Sequence, residues 1–247
     1  MSASSFRADL LVGHVAMVCG GTSGIGAAIG SALAGLGAEV TVSGATPAEA
    51  DAARKRAGFT GNAIALDVRD DEGIEACMRQ FARLDILVNC AGVIRRGAEH
   101  DPKVFAEVVD INLTGTMRLC AASRPLLTRS HGCIVNMASM YSFFGGPHAP
   151  GYTASKGGIA QLTKALAVAY AADKIRVNAI APAGSQRRSP AWYATNRRRA
   201  ALSWQAHRSG GWGEPDDVAA AAVFLCSPAA AFVTGVILPV DGGYLFA

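Results

Sequence analysis

The chain has 247 residues, 51% of them hydrophobic, with a formal net charge of +4. That is enough for one sizeable α/β core, and the modest charge without a lysine-rich tract does not point to a polyanion partner. The six cysteines are scattered, with no Cys-x-x-Cys pair, and read as buried thiols rather than a disulfide framework or a metal site. The N-terminus lacks a signal-peptide apolar region and no apolar run is long enough to span a bilayer, so the cytoplasm is the expected location.

Short β-rich runs alternate with helical stretches, which predicts a doubly wound parallel sheet. Val15–Cys19 reads as the first strand. A glycine-rich turn follows, then an alanine-rich helix through Leu36, ended by Gly37. Val40–Ser43, Ala63–Asp67 and Ile86–Asn89 read as the next three strands. A single long helix is expected from about Lys103 to Leu127, and a fifth strand over Cys133–Met137. A helix carrying Tyr152 and Lys156 runs to about Ala172, followed by a strand over Ile175–Ile180. A helix over Val218–Cys226, opened by the acidic turn Glu214–Asp217, and a seventh strand over Val236–Val240 complete the pattern. The expectation is one domain over residues 1–247.

The turn Gly20-Gly21-Thr22-Ser23-Gly24-Ile25-Gly26 lies where the first strand becomes the first helix. Glycines there allow close backbone approach, and a helix N-terminus offers free N–H groups to a pyrophosphate. A residue just past the second strand usually reads the ribose: an acid grips a 2′-hydroxyl, an arginine accepts a 2′-phosphate. Here stand Gly44, Ala45 and Thr46, so both signals are absent and the sequence does not choose between NAD and NADP. Asp67 is expected either to accept from the adenine amino group or to cap the next helix.

Tyr152-Thr153-Ala154-Ser155-Lys156 sets a phenol and an ammonium four positions apart. On a helix that spacing places both on one face, about 5–6 Å apart at Cβ. An adjacent cation favours the phenolate and moves the group towards neutral-pH acid/base work. Ser139, at the end of the fifth strand, supplies a hydroxyl that can hold a carbonyl oxygen beside the tyrosine.

Taken with Asn89-Cys90-Ala91-Gly92, Asn112 and the tail Val240-Asp241-Gly242-Gly243, these motifs resemble the short-chain dehydrogenase/reductase family over nearly the whole chain. The resemblance implies a Rossmann-type seven-stranded sheet and NAD or NADP as cofactor. It implies Tyr152 as general acid/base, Ser139 as orienter of the substrate oxygen, and Lys156 as ligand of the nicotinamide ribose. Asn112 would hold a water linking Lys156 to solvent, and Asn89 would support the sheet beside the cofactor. Gly20, Thr22, Ser23, Gly24, Ile25, Gly26, Asp67, Val68, Ala91, Gly92 and Pro182 would complete the cofactor site. Cys19 and Cys90 depart from the family's usual threonine and asparagine. So does Pro182-Ala183-Gly184, where Pro-Gly is usual.

Residues from about 183 to 210 are rich in arginine and lack clean periodicity, where the family carries a substrate lid. They are read either as a basic lid or as the product of a one-base frame slip, which sequencing the coding DNA decides. The nearest resemblance within the family is to dehydrogenases of 2-deoxy-gluconate and 2-dehydro-3-deoxy-gluconate. It rests on residues 91–96, 138–143 and Trp212-Gly213. Arg95, Arg96 and His148 are the candidate substrate contacts, an arginine being suited to a carboxylate. The alternatives are a 3-oxoacyl-thioester reductase and a dinucleotide-binding protein without turnover. A homotetramer is implied, packed through the helices beginning near Lys103 and Gly151.

Overall fold

The computed structural model describes residues 6–183 and 213–246. The lid or frame-slip reading of 183–210 and the Trp212 match therefore fall almost wholly outside the described residues.

Seven parallel strands form one sheet in the order β3-β2-β1-β4-β5-β6-β7. They are β1 (Val15–Cys19), β2 (Glu39–Gly44), β3 (Asn62–Ala65), β4 (Ile86–Asn89), β5 (Cys133–Met137), β6 (Arg176–Pro182) and β7 (Ile237–Val240). The helices are α1 (Gly24–Gly35), α2 (Pro47–Arg54), α3 (Asp71–Arg79), α4 (Pro102–Val109), α5 (Gly115–Ser130), α6 (Pro150–Ala169) and α7 (Pro215–Cys226). This is the Rossmann-type doubly wound architecture.

Period-two alternation sorts each central strand between two cores. Ala16, Val18, Ile86, Val88, Cys133 and Val135 face α1, α2 and α7. Met17, Cys19, Leu87, Ile134 and Val177 face α3, α5 and α6. Both faces being covered explains why the strands are nearly continuous apolar runs.

Strand order reverses between β1 and β4, so the connections leaving these two strands part in opposite directions. Such a switch point opens a crevice at the carboxyl edge of the sheet. Gly20 follows β1 there and Cys90-Ala91-Gly92 follows β4.

Two sequence expectations need correction. β3 ends at Ala65, so Asp67 lies beyond the strand, in the turn to α3. The expected single helix over 103–127 is interrupted: α4 ends at Val109, Asp110–Thr114 form a π-helical turn, and α5 begins at Gly115. One extra residue in the turn does not alter the apolar periodicity enough to be read from sequence. Such bulges recur at functional sites because they re-aim one side chain. Here that side chain is Asn112, which is fully buried.

Candidate active site

The phosphate-facing turn is built by backbone approach. Gly20 has φ +75°, and a Cβ on it would lie 2.4 Å from Ala91 N. A Cβ on Gly26 would lie 2.2 Å from the Gly20 carbonyl oxygen. Only glycine allows β1, α1 and the β4 edge to close this tightly. Ser23 is the N-cap of α1, yet its side chain makes no capping hydrogen bond and the first turn holds no acid. The opening N–H groups of α1 are thus left for an anion. A cleft of about 550 Å³ lies in front, lined by Gly20, Thr22, Ser23, Gly44, Asp67, Val68, Ala91 and Gly92 among others. A cradle that side chains would fill, set before an uncapped helix N-terminus, fits a dinucleotide. We expect Gly26→Ala to destabilise the protein by about 1–3 kcal/mol through overpacking. It should also weaken nucleotide binding, and urea unfolding with a nucleotide titration measures both effects.

Ile25 and Gly26 are buried within the turn rather than lining the cleft. Asn89 also lies beneath it, 3% exposed, donating from Nδ2 to Asn136 Oδ1 at 2.9 Å across the β4–β5 pairing. Asn136 in turn donates to Thr163 Oγ1 on α6 at 3.0 Å. The Asn89 amide therefore ties the sheet to the helix that carries Tyr152. Pro182 closes β6, in register with Val240.

Asp67 does line the cleft, but it does not cap α3; Asp70 does, accepting from Gly73 N–H at 3.0 Å. Arg69 lies two residues on and closes a fork over Asp67, with Nη2 to Oδ2 at 2.6 Å and Nε to Oδ1 at 3.0 Å. The Arg69 fork is the main reason the Asp67 carboxyl is held below its usual pKa, against the opposing effect of burial.

Ser139, Tyr152 and Lys156 are brought together at the end of β5. Ser139 leaves the strand and caps a short 3-10 turn, Met140–Ser142, its Oγ accepting from Tyr141 N–H at 3.2 Å. Ser142 Oγ donates to the Lys156 carbonyl at 2.6 Å, locking this turn to α6. On α6, Lys156 Nζ stands 5.5 Å from the centroid of the Tyr152 ring. The Tyr141 ring meets Tyr152 edge to face at 5.9 Å. Lys156 is 4% exposed, and its ammonium donates to the Met137 carbonyl at 2.6 Å. Burial pushes its pKa down to about 8.

The three residues do not themselves line the cleft; Lys156 reaches its edge at Gly92. A Cβ on Gly92 would lie 3.2 Å from Asn112 Oδ1 and 3.7 Å from Lys156 Nζ. Asn112 bridges that edge to α6. Its Oδ1 accepts from Val93 N–H at 2.8 Å, and its Nδ2 donates to Val93 O at 2.9 Å and to Ser155 Oγ at 3.1 Å.

The candidate substrate residues separate. Arg96 reaches the tyrosine pair, Nη1 donating to the Tyr141 hydroxyl at 3.4 Å. Arg95 turns instead to Glu107, 3.6 Å away. His148 is exposed and contributes its backbone, its carbonyl accepting from Gly97 N–H at 2.7 Å.

Sequence reasoning missed Glu99. Its carboxylate is 1% exposed, with Oε1 accepting from Arg95 N–H at 2.6 Å and Oε2 from Tyr152 N–H at 2.7 Å. An acid placed at the first turn of α6 satisfies an orphan donor and complements the helix dipole. It also fixes the loop after β4 against Tyr152. No motif announces it, because its partner is 53 positions away.

A family model described as enoyl-(acyl carrier protein) reductase matches residues 20–245. The chain belongs to the short-chain dehydrogenase/reductase family of nicotinamide-dependent oxidoreductases, and its named relatives include dehydrogenases acting on CH–OH groups. It is 37% identical over 243 residues to a 2-dehydro-3-deoxy-D-gluconate 5-dehydrogenase of Bacillus subtilis, covering 95% of this chain and 96% of that protein. It is 39% identical over 249 residues to a galactitol 2-dehydrogenase (L-tagatose-forming) of Cereibacter sphaeroides, covering 97% and 96%. A solved structure from Agrobacterium tumefaciens, a candidate 2-deoxy-D-gluconate 3-dehydrogenase with bound NADP, superposes with a TM-score of 0.86 at 38% identity. That match covers 98% of this chain and all of the other.

Proposed function

We propose that the protein interconverts a secondary alcohol and a ketone on a sugar acid, with Tyr152 as the proton-transferring group. The observation that carries this reading is the Lys156 ammonium held beside the Tyr152 ring at the edge of the dinucleotide cleft. In the oxidative direction the Tyr152 oxygen takes the proton of the substrate hydroxyl. In reduction it returns that proton to the carbonyl oxygen. A nicotinamide held in the cleft would provide the hydride acceptor or donor. Ser139, anchored by its turn, hydrogen-bonds the same substrate oxygen and fixes its distance from the phenol. Lys156 favours the phenolate through its charge and, at the Gly92 edge of the cleft, would hold the nicotinamide ribose. Asn112 holds the Gly92–Val93 edge against α6, which keeps the ammonium and the cleft in register.

A sugar acid is favoured because Arg96 sits beside Tyr141, whose ring packs on Tyr152. A guanidinium there suits a carboxylate at the far end of a short polyol chain. Arg96→Ala should raise KM for carboxylate substrates about tenfold, as loss of a charged hydrogen bond does, while neutral polyols change less than about twofold. A panel of sugar acids, neutral polyols and an acetoacetyl thioester, followed by nicotinamide absorbance, tests the whole reading. Preference for the thioester would replace it with the acyl-reductase alternative, and binding without turnover on any member would leave only a dinucleotide-binding role.

We also infer a homotetramer. Phe105 on α4, Met117 on α5 and Val168 on α6 expose apolar side chains, Val168 to 80%, on the helices that would pair between subunits. No two of the six cysteines form a disulfide, in keeping with the reducing cytoplasm that we propose as the location. Among the described residues no helix is long and apolar enough to cross a membrane.

A further inference from the structure

We infer that Glu49 reads the adenosine ribose and makes the protein select NAD(H) over NADP(H). The inference rests on the dinucleotide reading of the cleft and settles the choice that Gly44-Ala45-Thr46 leaves open.

β2 ends at Gly44, which has no side chain to offer a ribose. A Cβ there would lie 2.7 Å from Glu49 Oε2 and 2.8 Å from Thr22 Oγ1. The Glu49 carboxylate therefore occupies the space that a strand-end side chain would fill. It comes from the next element: Glu49 is in the first turn of α2 and reaches back to the strand end. Its Oε2 accepts from Ala45 N–H at 2.6 Å, which holds the acid against the strand end, and Glu49 lines the cleft beside Thr22, Gly44 and Ala45. An ionised carboxylate only accepts hydrogen bonds and has about four acceptor sites, so the Ala45 contact leaves capacity for a diol. A 2′-hydroxyl donates to it, whereas a 2′-phosphate brings further negative charge against it.

The nearby cations do not offset this. Arg69 lines the same cleft, but its guanidinium is committed to Asp67. Arg95 lines it too and faces Glu107. Arg56 lies behind the glycine turn, with Nη1 donating to the Thr22 carbonyl at 3.0 Å and its guanidinium over the Phe59 ring at 5.5 Å. It does not line the cleft. Glu49 also has a structural role, since its N–H is accepted by the helix N-cap Thr46 Oγ1 at 3.3 Å. That bond belongs to the backbone and survives a change of side chain.

The test is equilibrium titration of the full-length protein with NADH and NADPH, read by nucleotide fluorescence and calorimetry. The wild type should bind NADH about tenfold or more tightly than NADPH, the ratio expected for one charge-assisted hydrogen bond. Glu49→Gln keeps the shape and should bring the two affinities within about threefold of each other. Glu49→Arg should invert the preference, and if that variant does not fold, the glutamine variant carries the test alone. Equal or tighter NADPH binding by the wild type overturns the assignment, as does an equal loss for both nucleotides in Glu49→Gln. Loss of NADPH binding in Arg56→Ala, with NADH unaffected, would make Arg56 the reader instead and also overturns it. Binding of neither nucleotide overturns the cleft reading itself.

Discussion

Tyr152→Phe should lower turnover by roughly 10²–10⁴-fold, the range for loss of a positioned general acid or base, while nucleotide affinity stays within about twofold. The substitution removes one oxygen and little else. The ring keeps its edge contact with Tyr141 and its place beside the Lys156 ammonium. The Tyr152 backbone N–H still donates to Glu99, so the first turn of α6 stays where it is. What disappears is the only atom proposed to carry the proton to or from substrate. Single-turnover kinetics on the best substrate of the panel, with a parallel nucleotide titration, separate chemistry from binding. Activity near the wild-type level would transfer the proton to another group and remove Tyr152 from the mechanism.

The second large effect concerns Lys156 and is read in stability as well as rate. Its ammonium is nearly inaccessible to solvent, and burial lowers its pKa from 10.5 to about 8. In the unfolded chain it would titrate near its ordinary value. Between roughly pH 8 and 10.5 the unfolded state therefore binds more protons than the native state, and this group makes stability rise with pH. Its contribution is most favourable above the unfolded pKa and is lost as pH falls through about 8. The full swing is about 3 kcal/mol, since each pKa unit corresponds to about 1.4 kcal/mol.

Lys156→Met removes that titration. At pH 7 it relieves a buried charge but leaves the Met137 carbonyl without its ammonium donor, a loss of about 1–3 kcal/mol that offsets much of the relief. We expect near-equal stability of the two proteins at pH 7. From pH 8 to 10.5 the protein with Lys156 should gain on the variant by about 3 kcal/mol. The comparison is made with Tyr152→Phe in both proteins, because the phenol that the ammonium influences would not cancel; titrating groups away from the site are common to both and do. Urea unfolding of both across that range measures it, and a pH-independent difference would show that the buried ammonium is not under strain. With Tyr152 in place, turnover should fall in the Lys156→Met variant at every pH, because the Lys156 charge no longer favours the Tyr152 phenolate. A charge kept buried at such cost is what a site tuned for acid/base work requires.

Legibility in the sequence follows the range of the interaction involved. Gly20 to Gly26 could be read because a strand, a glycine turn and a helix are contiguous. Tyr152 and Lys156 could be read because four positions on a helix are neighbours in space whatever the rest of the chain does. Asp67 was half legible: its place near the cleft was right, but Arg69, two residues on, closes over it and Asp70 takes the cap. Which of several nearby acids pairs with which partner depends on loop geometry, and a turn past β3 has no periodicity to declare it. Arg95 and Arg96 were indistinguishable as adjacent arginines; the loop sends one to Glu107 and the other to Tyr141.

From its amino-acid order alone this chain determined the succession of strands and helices, the glycine turn, and the presence of a phenol, an ammonium and a hydroxyl suited to redox proton transfer. These depend on local periodicity and spacing, which neighbouring residues express by themselves. Only the tertiary structure decided that a π-helical turn buries Asn112 at the cleft edge. Only it placed Glu99 under Tyr152 and filled the space at Gly44 with the carboxylate of Glu49. The first two link β4's outgoing loop to α6 across long stretches of sequence, and the third depends on how α2 folds back on the end of β2. Such contacts exist only after the sheet has closed, because packing, not sequence spacing, sets the distances between those groups.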